Sequence, residues 1–376
     1  MKPTLAASET ARTDSPSRWH RLPLAAALVA FFVLLVWFVA LRQAALFAVG
    51  IGMGAALAGA RLGFTTGWRQ LVEDRDPRGT VGQLLLLGLA ATLSMPLLAS
   101  YPELQAALGP PSVSLVLGAF VFGLAMQISD GCGSGTLYKA GLGVPLNMGI
   151  LPLFALGSFL GSAHLDRWLA LGEVAPVSIV QSWGAGSALA GTWIALIAIG
   201  VGVRLWAGWG RQWIARRWVW GAIALAVLAA LNLAIAGQPW GVVYGFGLWA
   251  AKLAQATGSF DAASNAFWSQ AGNAQRLSQS LLLDVTSITN IGILGGALWI
   301  AARRREASTR PLTARQWLIG LVAGFVLGYS SRLAFGCNIG AMLSGISTGS
   351  LHGWIWMPMA FAGTLIGVRV RRRFGF

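Results

Sequence analysis

Charge is absent over long stretches of this chain. Residues Leu22–Leu41, Gln43–Ala60, Gly79–Pro102, Leu104–Ser129, Ala140–His164, Val174–Val203, Trp218–Ala251, Val285–Ala302 and Leu333–Val368 contain no Asp, Glu, Lys or Arg. Crossing a hydrocarbon core takes about 20 apolar residues. Charged residues make up 10% of the chain and hydrophobic residues 56%, whereas a soluble domain carries about 25% charged residues. So little charge cannot coat a water-facing surface. The expected fold class is an all-α polytopic membrane protein, and a typical soluble enzyme is excluded. The 49 glycines and 18 tryptophans fit close helix packing and interfacial aromatic belts. Cys132 and Cys337 are the only cysteines, too few for a disulfide framework or a Cys-based zinc or iron–sulfur site. No metal and no cofactor are expected. The formal charge of +15 is mostly Arg in short loops. That is a signal of topology and not of a nucleic-acid partner; the surrounding partner is lipid.

Arginine clusters mark the expected cytoplasmic loops: Arg12, Arg18 and Arg21; Arg61, Arg69, Arg75 and Arg78; Arg204–Arg217; Arg303–Arg315; and Arg369–Arg373. Both termini are then expected in the cytoplasm. The first apolar stretch lacks a small-residue cleavage site and is followed at once by a second span, so it reads as a retained helix. Between 218 and 302 the number of crossings has to be even. Three apolar segments and the polar stretch Asp261–Gln279 compete for them, and one is re-entrant or supplies a fourth crossing.

Two segments match at a constant offset of 205 residues. Phe120, Val121, Gly123, Gly131, Cys132 and Gly135 correspond to Phe325, Val326, Gly328, Gly336, Cys337 and Gly340. After one inserted residue, Pro152, Gly157, Ser158 and Gly161 correspond to Pro358, Gly363, Thr364 and Gly367. With the loop signals, segments 113–129 and 316–334 run in opposite directions, giving two inverted repeats. The expected organisation is a disordered tail (1–21), an extra helix (22–42), the first repeat (43–206), a linker and helix (207–237) and the second repeat (238–376). Inverted repeats with broken helices commonly build a transporter with its site near the midplane.

Residues 132–143 and 337–348 are too short to cross and fit re-entrant half-helices. Gly131 and Gly336 permit a sharp turn, and Gly133, Gly135 and Gly340 permit close backbone approach. Cys132, Thr136 and Lys139 share one face at helical spacing, as do Cys337, Ala341 and Ser344. Two half-helix N-termini meeting at the centre place N–H groups and positive dipole ends there, an anion-binding arrangement.

The segments G-C-G-S-G-T-L-Y-K-A-G (131–141), R-L-A-F-G-C-N-I-G-A-M-L-S-G-I (332–346) and S-L-H-G-W (350–354) resemble the YeeE/YedE sulfur-transport family, which includes thiosulfate uptake proteins. The resemblance runs from about Leu46 to the end. It implies inverted halves and a line of thiols, here Cys132 and Cys337, that passes thiosulfate inward. Family members that carry thiosulfate have a further cysteine in a region resembling 62–71, where this chain has Thr65 and Thr66. A cytoplasmic TusA-like sulfurtransferase is the candidate protein partner. A selenium compound is an alternative substrate.

Each candidate also has a plain structural reading. A lone buried Cys is commonly a small hydrophobe; a pair in matched Gly-Cys turns argues for a site. The glycines double as packing residues. Lys139 is a pore cation or a snorkelling side chain. Arg332 collects anions at the outer mouth or anchors the interface. Asp130 pairs with a cation or caps the half-helix. Ser134 belongs to the first turn, and Asn338 donates to an oxyanion or caps its helix. His352 reads as packing, and His164 and His20 as interfacial. The expected function is a permease for a reduced sulfur anion, with Gly131, Cys132, Gly133, Ser134, Gly135, Thr136, Lys139, Thr65, Arg332, Gly336, Cys337, Asn338 and Gly340 at the site. A passive anion channel of the same fold is one alternative. A membrane thiol–disulfide oxidoreductase using the two cysteines is the alternative of another class.

Overall fold

The computed structural model describes residues 21–208, 210, 212–303 and 311–376. The expected disordered tail, with Arg12, Arg18 and His20, lies outside the described residues, as does most of the Arg303–Arg315 loop. Among the described residues the regular structure is helical, apart from isolated bridges pairing Ser112 with Glu173 and Ser178 with Ser350. In chain order the helices are α1 (Arg21–Phe38), α2 (Leu41–Ala60), α3 (Phe64–Asp74), α4 (Arg78–Ser100), α5 (Val113–Ile128), α6 (Gly133–Gly141), α7 (Pro145–Ala163), α8 (Leu165–Leu169) and α9 (Ile179–Trp183). They continue as α10 (Ala185–Ala207), α11 (Arg216–Ala236), α12 (Val243–Ala256), α13 (Ala271–Ser278), α14 (Val285–Ala301), α15 (Ala314–Leu333), α16 (Ser344–Ser347) and α17 (Leu351–Arg373). Nine helical segments among the described residues are long and apolar enough to cross a membrane, and α14 is a shorter apolar helix. The protein is a multi-pass membrane protein.

Local chemistry sets the boundaries. Ser112 caps α5 by accepting from the Leu115 amide, and Asp284 caps α14 by accepting from Ser287. Thr313 and Gln316 form a reciprocal capping box at α15. The uncharged stretch Trp218–Ala251 is not one span. Gly237, at φ 69°, ends α11 in the left-handed conformation that glycine adopts without a Cβ penalty. Pro239 follows. The 14 residues of α12 reach about 21 Å, short of a core about 30 Å thick. Gly237 accepts from the Gln105 amide, Val243 accepts from Ser158, and Asn265 past the end of α12 bonds Ala163. The chain therefore dips inward to Val243 and returns along α12 to the side it came from. Of Asp261–Gln279, only α13 is helical.

The motif helices pack in exchanged pairs, α5 along α17 and α7 along α15. The Ser114 hydroxyl at the start of α5 donates to the Leu333 carbonyl at the end of α15 (2.9 Å). At the opposite face, Arg371 of α17 donates to the Gln127 carbonyl of α5 (2.8 Å), and Gln316 of α15 donates to the Gly375 carbonyl (2.7 Å). Helices α5 and α15 thus run in opposite senses. The face holding the end of α5, the start of α15 and the end of α17 is called the arginine face below. α1, with only Leu35 buried, is peripheral.

Gly123 and Gly363 set the α5–α17 approach. A Cβ at Gly363 would meet the Phe120 carbonyl, and one at Gly123 would meet the Ala360 carbonyl. Gly363→Val is expected to cost about 3 kcal/mol, because backbone and not a flexible side chain has to move. Thermal unfolding in detergent checks this; an unchanged midpoint would contradict the packing.

Candidate functional site

The two Gly-Cys turns have the same backbone. α5 ends at Ile128, and Asp130 takes a left-handed conformation (φ 54°). Its counterpart Phe335 does the same after α15 (φ 58°). The Gly131 amide donates to the Met126 carbonyl (3.1 Å) and the Gly336 amide to the Ser331 carbonyl (2.8 Å), positions matched by the offset. Cys132 (φ −84°, ψ −170°) and Cys337 (φ −91°, ψ −169°) then each begin a short helix. Their carbonyls accept from Thr136 and Ala341, both at 2.8 Å. Gly336 sits at φ 148°, and a Cβ there would lie 2.6 Å from the Ala341 nitrogen. Only glycine fits that turn.

Beyond the cysteines the halves diverge. α6 is α-helical with Cys132 as its N-cap, whose Sγ accepts from the Gly135 amide (3.4 Å) and lies 3.5 Å from the Ser134 hydroxyl. The second half runs through a π-helical segment, Asn338–Leu343, into α16, where a regular half-helix was expected. Single π-type turns frequently mark functional positions.

The turns meet. A Cβ on Gly133 would lie 3.0 Å from Cys337 Sγ and 3.3 Å from Val243. Cys337 heads its turn without a side-chain cap hydrogen bond, unlike Cys132. Both cysteines are free thiols, 1% and 0% exposed. The Thr136 hydroxyl and both amide atoms of Asn338 are fully buried and have no hydrogen-bond partner among the described residues. Open space lies beside Gly340. The groups at the two turns are neutral: two thiols, the Thr136 hydroxyl, the Asn338 amide and backbone N–H groups.

Three further candidates sit apart from this junction. Thr65 is buried at the start of α3 with its hydroxyl unpartnered among the described residues, and its carbonyl accepts from Gln127 (3.3 Å). Lys139 turns to the arginine face, with Nζ 2.7 Å from the Asp130 carboxylate. Arg332 is on the opposite side, its Nε donating to Ser162 (2.7 Å) and its guanidinium over the rings of Tyr244 (5.6 Å) and Phe267 (5.2 Å). His352 is packed between Phe335 and Gly345 and bonds Ser350 (2.6 Å). His164 lies 3.2 Å from the Tyr329 hydroxyl.

Sequence reasoning missed residues 240–243, which line the junction from a third direction. Asn290 donates to the Val242 carbonyl (2.9 Å), and Ser344 donates to the Trp240 carbonyl (2.6 Å). The Gly237-Gln238-Pro239 breaker was the available signal.

Comparison with known proteins agrees with this architecture. Residues 59–366 match the family described as sulphur transport. The chain is 28% identical over 330 residues to the thiosulfate transporter TsuA of Spirochaeta thermophila, covering 82% of this chain and 92% of that protein. It is 26% identical over 167 residues to the probable transporter YedE of Escherichia coli, covering 44% and 40% of the two chains. The matched region contains both thiol turns and the helices that hold them, and the chain belongs to the sulphur transport (YeeE/YedE) family of membrane transporters.

Proposed function

We propose that this protein takes up thiosulfate or a related reduced sulfur anion across the bacterial inner membrane, along a central path past Cys132 and Cys337. The observation that carries the reading is the junction itself, two buried thiol turns of one backbone geometry, reached from opposite faces and touching through Gly133. A thiol offers a weak S–H donor and a polarisable sulfur, suited to an anion with a terminal sulfur. Helix-end amides supply the positive end of a dipole. Asn338 and Thr136 have unspent hydrogen-bonding capacity where an anion would pass, and buried polar groups ordinarily find partners. Similarity to a thiosulfate transporter supports the substrate class. The antiparallel course of α5 and α15, with the exchanged helix pairs, supports a construction from two inverted repeats.

In this reading Arg332 gathers anions at the outer mouth and Thr65 donates from its hydroxyl where the family resemblance implies a further thiol. A TusA-like sulfurtransferase fits as the cytoplasmic acceptor. The arginine face is the cytoplasmic one, because Arg61, Arg69, Arg75, Arg78 and Arg369–Arg373 collect there. A phosphatase fused to the C-terminus is expected to be inactive and a fluorescent protein there to be bright. The reverse pattern would invert the proposed path.

The test of function is uptake by proteoliposomes of labelled thiosulfate, sulfite, selenite and sulfate. Uptake of thiosulfate well above sulfate is expected. Uptake of selenite alone would move the protein to selenium transport.

A further inference from the structure

Asp130 lies two residues before Cys132, on the arginine-face side of the junction. Three cations enclose its carboxylate. Arg69 Nη1 of α3 is 2.7 Å from Oδ1, Lys139 Nζ of α6 is 2.7 Å from Oδ2, and Arg371 Nη1 of α17 is 3.5 Å from Oδ1. Lys139 also donates to the Asp130 carbonyl (2.5 Å). The three cations are 15–16% exposed and Asp130 is 24% exposed. Close by, Arg372 pairs with Glu73 (2.7 Å). Four positive charges against two negative leave an excess of two.

The turn does not call for this carboxylate. Phe335 holds the matched left-handed position in the second half, with the same backbone hydrogen bonds around it. Asp130 is therefore there for the cations, and the cations outnumber it. A cavity of about 430 Å³ opens beside Asp130 and Arg371, lined also by Asn147, Gln316 and Trp317.

We propose that Arg69, Lys139 and Arg371 form a second anion station between Cys132 and the arginine face, fitted to a divalent oxyanion, and that the Asp130 carboxylate is a tethered occupant which the passing anion displaces. The proposal rests on the transport reading above. The excess charge of two matches a dianion such as thiosulfate. Charge-assisted bonds from two guanidinium groups and an ammonium would hold that dianion tightly, and Arg suits oxyanion geometry. A carboxylate on the same chain competes at high effective concentration. It returns to the cations as the anion moves on, so the station passes its cargo to water instead of trapping it. Unlike the thiols, this station takes an all-oxygen dianion as well, so it supplies affinity and release and not selectivity.

The experiment uses the purified full-length chain, with thiosulfate and sulfate as binding probes and thiosulfate uptake measured in parallel. Asp130→Asn keeps the shape and suits a left-handed position. It is expected to bind both dianions at least about tenfold tighter, with KM and the maximal uptake rate falling together. Arg371→Gln leaves Asp130 held by Arg69 and Lys139, and is expected to weaken binding and raise KM about tenfold. Asp130→Asn binding no tighter than wild type, or Arg371→Gln binding no weaker, would overturn the station while leaving wild-type transport intact. If Asp130→Asn does not fold, Arg371→Gln decides alone. Wild-type vesicles that take up no sulfur anion would remove the transport reading and the station with it.

Discussion

Cys132→Ala is expected to bring thiosulfate uptake down about 100-fold, and Cys337→Ala about tenfold, with both proteins still folded. Hydrogen bonds to charged groups are worth about 1.5–3 kcal/mol, and about 1.4 kcal/mol is tenfold in rate. Cys132 stands at the upper end because its sulfur also organises the turn. It accepts from the Gly135 amide and lies against the Ser134 hydroxyl, and alanine leaves both without that partner. Cys337 makes no side-chain cap hydrogen bond, so alanine there leaves no backbone amide without its partner. Folding should lose about 1 kcal/mol at Cys337, the value of a small buried apolar group, and about 2 kcal/mol at Cys132, where a buried amide also loses its acceptor. Serine should restore part of the rate, since a hydroxyl donates but is less polarisable. Uptake and thermal unfolding measured on the same preparations separate a path defect from a folding defect. Full uptake by Cys132→Ala would exclude a role for that thiol in the path.

Thiosulfate is expected to be carried about 100-fold better than sulfate. The two dianions differ by one terminal sulfur in place of oxygen, and that sulfur is larger, more polarisable and less strongly hydrated. Burying a charge is costly unless it is paired and hydrogen-bonded. At the junction sulfate would exchange a tight water shell for thiols, the Thr136 hydroxyl, the Asn338 amide and a few backbone N–H groups. A deficit of about 3 kcal/mol corresponds to roughly 100-fold. Arg332 is set back beside Tyr244 and Phe267 and is bonded to Ser162. Thr65→Cys and Thr66→Cys are the variants to compare, with Thr65 the one whose buried hydroxyl is unpartnered among the described residues. Thr65→Cys should widen the preference for thiosulfate. Equal transport of sulfate and thiosulfate by wild type would remove the soft-donor mechanism and leave the helix-end amides as the explanation of the site.

Spans, the matched Gly-Cys turns and the half-length helices were legible because each rests on local pattern. Long uncharged runs mark helices, and Gly131 and Gly336 mark turns that admit no Cβ. The offset of 205 extends to Asp130 and Phe335, whose shared left-handed backbone no residue type announces. What the sequence withheld depends on contacts between distant segments. Arg69 and Arg371 reach Asp130 from 61 residues before and 241 residues after it, and nothing local distinguishes them from the other loop arginines that mark topology. Sequence alone favours Lys139 as a snorkelling side chain over a pore cation; its Asp130 contacts arise because α6 folds back over the turn that precedes it. The region 218–302 stayed open at the level of sequence since hydropathy alone does not distinguish a 14-residue helix that returns to its own face from a crossing. The π-helical start of the second half-helix was also hidden, because no residue of Asn338–Leu343 announces a π turn.

The central claim is that the two thiols at the junction handle the transported anion. Its most direct test is initial uptake of labelled thiosulfate by proteoliposomes holding either wild type or the Cys132→Ala, Cys337→Ala double variant, at equal amounts of folded protein. The account predicts saturable uptake by wild type and a rate close to that of empty vesicles for the double variant. Wild-type rates in the double variant would contradict it.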